Sequence, residues 1–251
     1  MRGVPNADQK DCAVRAKHVL LQELPDIMKP RIKIDNTILS AMIILTGFLY
    51  LFSDFYPHNQ AFDYLFDFLG MLLILIGALF RMSARGHKKT YSQQGESLVT
   101  TGPYTLVRNP MYLGSFLIGA GFAWVVWPWW ALPLFVLLFY LRFNKQIVLE
   151  EKHLAKAFGK EYDQYCARVP RLFPSWANIQ KARFREAFNF KEIFSTKEKN
   201  CLWAWPLAAV ILETIEEFVV YGYTDLFLTV LIFAAAALAF GLGFWIEYHR
   251  R

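Results

Sequence analysis

The chain has 251 residues, of which 55% are hydrophobic, and it carries a net charge of +6. Soluble domains are about 45–50% apolar, so the composition favours a membrane protein over a soluble domain. The basic residues are not interleaved with stacking aromatics in a soluble domain, and we therefore exclude nucleic-acid binding as the meaning of the positive charge.

Five apolar runs predict the membrane-spanning part of the chain: Ile38–Phe52, Leu65–Phe80, Met111–Leu141, Leu202–Tyr221 and Leu226–Trp245. Runs of about twenty residues are typical of transmembrane helices, and many aromatic residues lie at the run ends, as in an interfacial aromatic belt. The polar segment 1–36 is amphipathic at best. We expect it to lie on the cytoplasmic membrane surface or to be partly flexible.

The distribution of the 27 basic residues predicts the topology. They fall into four groups, in residues 1–36, 81–110, 142–199 and 250–251. Three connections contain none: Ser53–Tyr64, Trp127–Trp130 and Gly222–Asp225. By the positive-inside rule the basic groups face the cytoplasm, so both termini are expected there. The pattern does not distinguish a bacterial inner membrane from the endoplasmic reticulum.

The run Met111–Leu141 is long for one span, and its flanking residues Arg108 and Arg142 are both basic. Both flanks should therefore lie inside, which requires an even number of crossings. Pro128 and Pro133 break helices near the middle of the run. We predict a helical hairpin whose arms run from about Pro110 to Val126 and from Trp129 to about Glu151. The fold class is thus all-α, a polytopic integral membrane protein with about six transmembrane helices.

The remaining segments lie between or beside the spans. Residues 81–110 are predicted to be a cytoplasmic loop, in which His87, Lys88 and Lys89 anchor lipid phosphates. Residues 147–166 carry a helical pattern and form a cytoplasmic helical cap, with a possible interruption at Gly159. The expected organisation is an N-terminal segment, a membrane core, a basic cytoplasmic linker and two additional helices, in residues 1–36, 37–175, 176–200 and 201–251.

Several chemistries are set aside. The three cysteines share no short spacing, so no disulfide framework is predicted. The five histidines are scattered, and none pairs with another ligand at metal spacing, so no metal site is predicted. Glu213, Glu216 and Glu217 lie in or near the fifth apolar run. Four interpretations of these acids stay open. They are protonated structural acids, they bond to Tyr221 or Tyr223, they show that the span is shifted, or they bind a substrate headgroup.

Charged and phenolic side chains gather at the ends of the hairpin. Tyr104, Arg108 and Tyr112 are spaced by four, so on a helix they share one face. Glu150 and Glu151 end the second arm. If the arms are antiparallel, Arg108 meets these glutamates at the cytoplasmic membrane edge and forms a pocket able to hold a zwitterion. The alternative is an ordinary helix-end salt bridge with interfacial tyrosines.

Three sequence segments carry a family resemblance: LVTTGPYTLVRNPMYLG at 98–114, EEKHLAKAFGKEYDQY at 150–165 and VPRLFP at 169–174. Together they resemble the isoprenylcysteine carboxyl methyltransferases and the related membrane phospholipid methyltransferases. Those families share a GPY…RHPxYxG segment, a paired glutamate and an FGxxYxxYxxxxPxxxP tail. The resemblance covers residues 70–175, which makes the core 37–175 a methyltransferase core.

The resemblance implies an S-adenosylmethionine-dependent methyltransferase that acts on a lipid or lipid-modified substrate from the inner leaflet, by carboxyl or amine methylation. Carried over by position, the residues that line the cofactor site are Gly102, Tyr104, Arg108, Asn109, Pro110 and Tyr112. Glu150 and Glu151 hold the cofactor's amino group or act on the substrate, and with Arg108 they are the expected catalytic residues. Tyr162 and Tyr165 contact the cofactor or cover it.

Two departures from the family pattern bear on activity. Asn109 replaces the usual histidine, and Glu96 stands where many members have another histidine. An amide donates and accepts hydrogen bonds but carries no charge near neutral pH. A non-catalytic membrane scaffold of the same fold therefore stays open. A second alternative is a membrane oxidoreductase, because sterol reductases carry a somewhat similar carboxy-terminal segment. The sequence predicts no oligomeric state.

Overall fold

The computed structural model describes residues 44–48, 50–51, 60–181, 183–196 and 200–249. Within these ranges the chain forms helices and turns and no strand, which confirms the all-α class. The predicted N-terminal segment, most of the first apolar run and the two terminal arginines lie outside the described residues.

From residue 60 onward, nine α-helices follow one another in the described residues, after a short helical stretch at 44–48. They are α1 (Gln60–Tyr91), α2 (Pro110–Val126), α3 (Leu132–Phe158), α4 (Lys160–Arg168), α5 (Trp176–Lys181), α6 (Phe184–Ala187), α7 (Phe190–Phe194), α8 (Cys201–Tyr221) and α9 (Leu226–His249). Short 3₁₀ turns lie at Gln93–Gly95, Gly102–Thr105 and Trp129–Ala131.

Three helices of the described part are long and apolar enough to cross a membrane: α1 from Phe62, α3 and α9. The α2 helix is apolar but has only 17 residues. The α8 helix has 21 residues and contains three glutamates. A polytopic membrane protein follows from these helices, whereas the number of six spans stays a prediction.

The helices α2 and α3 form the predicted hairpin. The first arm has the predicted bounds, and the second continues to Phe158, about two turns beyond Glu151. Pro128 lies in the connection, as predicted. Pro133 lies in the first turn of α3, where proline loses no helical hydrogen bond, so it begins a helix rather than breaking one. The Phe116 and Phe139 rings, 5.0 Å apart, hold the antiparallel arms together.

The helix α1 is the centre of the bundle and contacts α2, α7, α8 and α9. Glycines let α1 and α2 approach closely. A Cβ atom added to Gly77 would lie 2.7 Å from the carbonyl oxygen of Gly114, and one added to Gly70 would lie 2.8 Å from that of Gly121. The contact pairs run in opposite order along the two helices, so α1 and α2 are antiparallel. Small residues at such contacts are typical of helix packing in membranes.

Two predictions about the bounds of helices are wrong. Residues 81–91 belong to α1, so the predicted loop begins at residue 92 instead of 81. The common helix face of Tyr104, Arg108 and Tyr112 does not form, because a 3₁₀ turn holds Tyr104 and the helix begins only at Pro110. Proline disfavours a helical conformation in the residue before it, and Asn109 accordingly has φ −121° and ψ 60°.

The segment 183–196 contains α6 and α7 and packs against α1. Its Ile193 is fully buried. His87, predicted to anchor lipid phosphate, is instead only 4% exposed, and its ring nitrogens contact Glu192 and Thr101. A buried ring cannot reach a headgroup, so that prediction is wrong for His87.

The three glutamates of α8 are all buried within the helix bundle. Asp67 of α1 lies beside Glu213. The carboxylate of Glu217 accepts a hydrogen bond of 2.9 Å from the backbone N–H of Asp225. These acids therefore face protein groups, which explains how helix α8 carries three of them.

Candidate active site

The predicted site residues come together at one end of the bundle. Residues 108–109 lie where α2 begins, and the paired glutamates lie on the facing turns of α3. The backbone N–H of Arg108 donates to the carbonyl of Pro170 over 2.8 Å, and that of Asn109 donates to Arg171 over 3.2 Å. These two bonds bring the segment after α4 back across the start of α2.

Glu151 is the acidic centre of the site. Its Oε1 lies 3.7 Å from Nη2 of Arg108, and its Oε2 lies 3.1 Å from Nε of Arg171. The guanidinium of Arg108 also donates to Sγ of Cys166. Burial alone would lower the pKa of Arg108. The carboxylate of Glu151 and the hydrogen bond to Cys166 together outweigh this effect, so the pKa lies above its usual value. The predicted meeting of Arg108 with the acidic doublet is therefore present.

Asn109 completes the surroundings of Glu151. Its Nδ2 donates to Glu151 Oε1 over 3.0 Å and to the carbonyl of Arg171 over 3.1 Å. The neutral amide thus donates a hydrogen bond to the carboxylate, and this contact needs no imidazole. Glu96, the other departure, is exposed in the turn before residue 97.

Glu150 has different partners. The hydroxyl of Tyr112 donates to its Oε1 over 2.6 Å, and Nε2 of Gln146 approaches the same oxygen at 3.3 Å. Tyr112 is 1% exposed, so this bond spans the hairpin from inside. Both glutamates consequently accept hydrogen bonds from fixed donors.

Three buried tyrosines, Tyr104, Tyr162 and Tyr165, form one cluster beside Arg108. The hydroxyl of Tyr165 donates to the carbonyl of Tyr104 over 2.7 Å, and that of Tyr104 donates to Ala84 over 3.3 Å. The buried hydroxyl of Tyr162 lies close to Cys166 but makes no hydrogen bond of normal geometry among the described residues. Burial raises the pKa of all three above the usual value, so they remain neutral phenols.

Gly102 and Pro110 shape the backbone around these side chains. Gly102 has φ +59°, a conformation that favours glycine, and a Cβ there would lie 2.7 Å from the ring of His87. Pro110 is buried and occupies the first turn of α2. Both residues therefore position the site through the backbone.

Sequence reasoning missed Arg171, Gln146 and Cys166 as neighbours of the site. Gln146 precedes Glu150 by one helical turn, a spacing that could have identified it. Arg171 belongs to the VPRLFP segment, but only its return across α2 brings it to Glu151. Cys166 was considered only for disulfides and metals.

An apolar cavity of about 220 Å³ adjoins the site between α2, α3 and residues 171–173. Aromatic rings dominate its lining, which includes Phe116, Phe139, Phe143 and Phe173. Arg171 and Asn144 supply its polar side, joined by a 3.0 Å bond from Nη1 to Oδ1. The buried Nη2 of Arg171 has no hydrogen-bond partner in the described part of the chain.

Residues 65–161 match the model of the phospholipid methyltransferase family. The predicted resemblance to these membrane methyltransferases is confirmed. The matched residues contain Arg108, Glu150 and Glu151, which lie at the centre of the site. They end before Arg171 and before the helices α5 to α9.

Curated relatives agree with this match. The protein-S-isoprenylcysteine O-methyltransferase of Saccharomyces cerevisiae is 32% identical over 127 residues, 45% of this chain and 53% of the relative. The protein of the same name from Schizosaccharomyces pombe is 36% identical over 77 residues, 31% and 33% of the two chains. The cobalt-zinc-cadmium resistance protein CzcN of Cupriavidus metallidurans is 32% identical over 107 residues, 42% and 46%.

The chain spans about half the length of the curated relatives it matches, or less. No solved structure gives a significant match.

Proposed function

We propose that the chain is an integral membrane, S-adenosylmethionine-dependent methyltransferase whose site faces the cytoplasm and inner leaflet. The observation that carries this proposal is the convergence of Arg108, Asn109 and Arg171 on Glu151, beside an aromatic cavity. Glu151 and Arg108 lie within the family match. The proposal extends to the core 37–175 as the catalytic unit.

The residues fit the methyl donor chemically. S-adenosylmethionine carries a carboxylate, an ammonium group and a positively charged sulfur. Among the described residues, Nε of Arg108 and the buried hydroxyl of Tyr162 make no hydrogen bond of normal geometry, so both can donate to the carboxylate. Glu150 and Glu151 can accept from the ammonium group. Gly102, Tyr104, Asn109, Pro110, Tyr112 and Tyr165 would line or position the same site.

When bound, the donor supplies a methyl group activated by its sulfonium. In-line transfer depends on alignment of the acceptor with that methyl group. Arg108, Asn109 and Arg171 hold Glu151 in one position, and Tyr112 and Gln146 do the same for Glu150. The buried tyrosines exclude water beside Arg108. The residues of this chain therefore act mainly by binding, orientation and exclusion of water.

The surroundings favour a carboxylate acceptor on an apolar chain over an amine. The partnerless Nη2 of Arg171 can donate to a carboxylate, while the aromatic cavity beside it can hold hydrocarbon. A carboxylate attacks without losing a proton, whereas an amine needs a general base. Both glutamates are engaged as hydrogen-bond acceptors. The yeast relative's name describes O-methylation of isoprenylcysteine, which agrees with this acceptor class.

Methyl transfer by the purified chain in nanodiscs tests the proposal. With methyl-labelled S-adenosylmethionine, we expect base-labile label on N-acetyl-S-farnesylcysteine. Its carboxamide should take up no label, because it lacks the carboxylate that accepts the methyl group. We expect Arg171→Ala to raise KM for the farnesylcysteine about tenfold or more, since it loses a charge-assisted hydrogen bond. Label on phosphatidylethanolamine instead would contradict the acceptor class. No donor binding by calorimetry would contradict the methyltransferase itself and favour a scaffold.

A further inference from the structure

A row of three side chains, of which His87 and Glu192 are buried and Thr101 is exposed, links α7 to the loop that carries the GPY motif. His87 lies in the last turns of α1, and its Nδ1 is 2.8 Å from Oε2 of Glu192. Its Nε2 is 2.9 Å from the hydroxyl oxygen of Thr101. With Glu192 ionised, a neutral ring carries its proton on Nδ1 and accepts the Thr101 hydroxyl at Nε2.

The Glu192 end of this row is fixed to α1. Glu192 is 8% exposed, and Nδ2 of Asn189 approaches its other oxygen at 3.4 Å. Asn189 also caps α7, because its side chain accepts the backbone N–H of Lys191 over 3.0 Å. The backbone carbonyl of Glu192 fills the space where a side chain at Gly86 would lie. The carboxylate therefore has little freedom to move.

At its other end, the row contacts the Gly102–Tyr104 turn through Thr101. The carbonyl of Thr101 accepts the backbone N–H of Tyr104 over 3.2 Å, which closes the 3₁₀ turn. The ring of His87 occupies the space that Gly102 leaves by having no side chain. Movement of this ring would therefore displace Thr101, Gly102 and Tyr104 together.

We propose that Glu192, His87 and Thr101 form a positioning relay that holds the Gly102–Tyr104 turn in the conformation required by the methyl donor. This inference rests on the proposed function, and the three residues act through the turn rather than on the reacting atoms. Glu192 lies outside residues 65–161, the part that matches the family model. The later part of this chain thus stabilises the loop of the catalytic core.

Hydrogen exchange of the ligand-free protein in nanodiscs tests the relay without reference to activity. Thr101→Val keeps the shape of the side chain and removes its hydroxyl, whereas Thr101→Ser keeps the hydroxyl. We expect the Tyr104 and Leu106 amides to exchange about fivefold faster in Thr101→Val, as expected for loss of one hydrogen bond. Glu192→Ala should have the same effect, and Glu192→Gln should partly restore the slower exchange.

Thr214→Val is the matched control, because Thr214 donates only to Val210 within α8, far along the chain from the turn. We expect the Tyr104 and Leu106 amides to exchange at the wild-type rate in both Thr214→Val and Thr101→Ser. Calorimetry with S-adenosylhomocysteine should show a Kd about fivefold weaker in Thr101→Val. The KM for the donor should rise with it, while kcat stays within about twofold.

Unchanged turn exchange in Thr101→Val would overturn the relay, even if Glu192→Ala failed to fold. Faster exchange with an unchanged Kd would overturn its link to the donor. If the wild type binds no S-adenosylhomocysteine, the proposed function fails, and the exchange measurements alone still decide whether the relay exists.

Discussion

Glu151 is held by three neighbours with different chemistry. Two are guanidinium groups and the third is the amide of Asn109. A carboxylate surrounded in this way is fixed in position, which suits recognition of an ammonium group better than proton transfer. Asn109 is therefore compatible with a working site, although the resembling families usually have histidine there.

Substitution of Asn109 tests this interpretation. Asn109→Asp removes the donor and places a second carboxylate against Glu151, so we expect kcat/KM to fall about a hundredfold, as for loss of a hydrogen bond to a charged group. Asn109→His retains a ring N–H donor, and we expect activity within about tenfold of the wild type. The melting temperature of each variant controls for folding. Equal activities of the Asp and His variants would contradict the role of the amide.

Part of this site could be predicted from residues alone. Arg108 and the glutamate pair were brought together by the hairpin, which followed from the basic flanks and the central proline. Arg171 could not be placed, because its position depends on backbone bonds between 108–109 and 170–171 that leave no pattern in the sequence. The contact of Arg108 with Cys166 likewise depends on how α4 packs.

At the scale of helices, apolar runs located α2 and α9 well and misplaced the end of α1. Helix α1 continues through eleven mainly polar residues after Phe80. Apolarity marks where a helix meets lipid, whereas the end of a helix is set by its backbone hydrogen bonds. This polar extension brings His87 to the Gly102–Tyr104 turn. The site therefore depends on a part of α1 that hydropathy cannot reveal.

The close contact of α1 with α2 positions Arg108 and Tyr112 relative to the rest of the bundle. Gly77→Ala would place a Cβ 2.7 Å from the carbonyl of Gly114, and we expect overpacking to lower the free energy of unfolding by about 1–3 kcal/mol. Gly241→Ala is the matched control, since no atom lies within 4 Å of its added Cβ. It should be neutral or stabilising by about 0.5–1 kcal/mol. Thermal unfolding in detergent compares them, and equal melting temperatures would refute the close contact.

At the scale of the whole molecule, polar groups collect at both ends of the bundle. The proposed site lies where α1 ends and α2 begins, and the C-terminal end of α9 reaches the same side, because Arg185 donates to the carbonyl of Tyr248. The buried acids of α8 lie toward the other end of the bundle, close to the turn after Tyr221. The helices α8 and α9 both pack against α1 and so support the core from outside the family match.

The association of the later helices with the core could not be predicted from composition. The predicted linker 176–200 is basic, which suggests only a cytoplasmic location. Its contacts arise from a few buried residues, such as Ala187 and Ile193, that stand among exposed ones. The division of the chain into a core and two additional helices stays a prediction, as do the cytoplasmic termini.

The central claim is that Arg108 and Glu151 together bind the methyl donor. Calorimetric titration of S-adenosylhomocysteine into the purified chain and into Arg108→Ala and Glu151→Gln tests it most directly. The account predicts saturable binding by the wild type and affinities lower by about tenfold or more in each variant, since each loses a charged hydrogen-bond partner. Wild-type affinity in both variants, with folding intact, would contradict it.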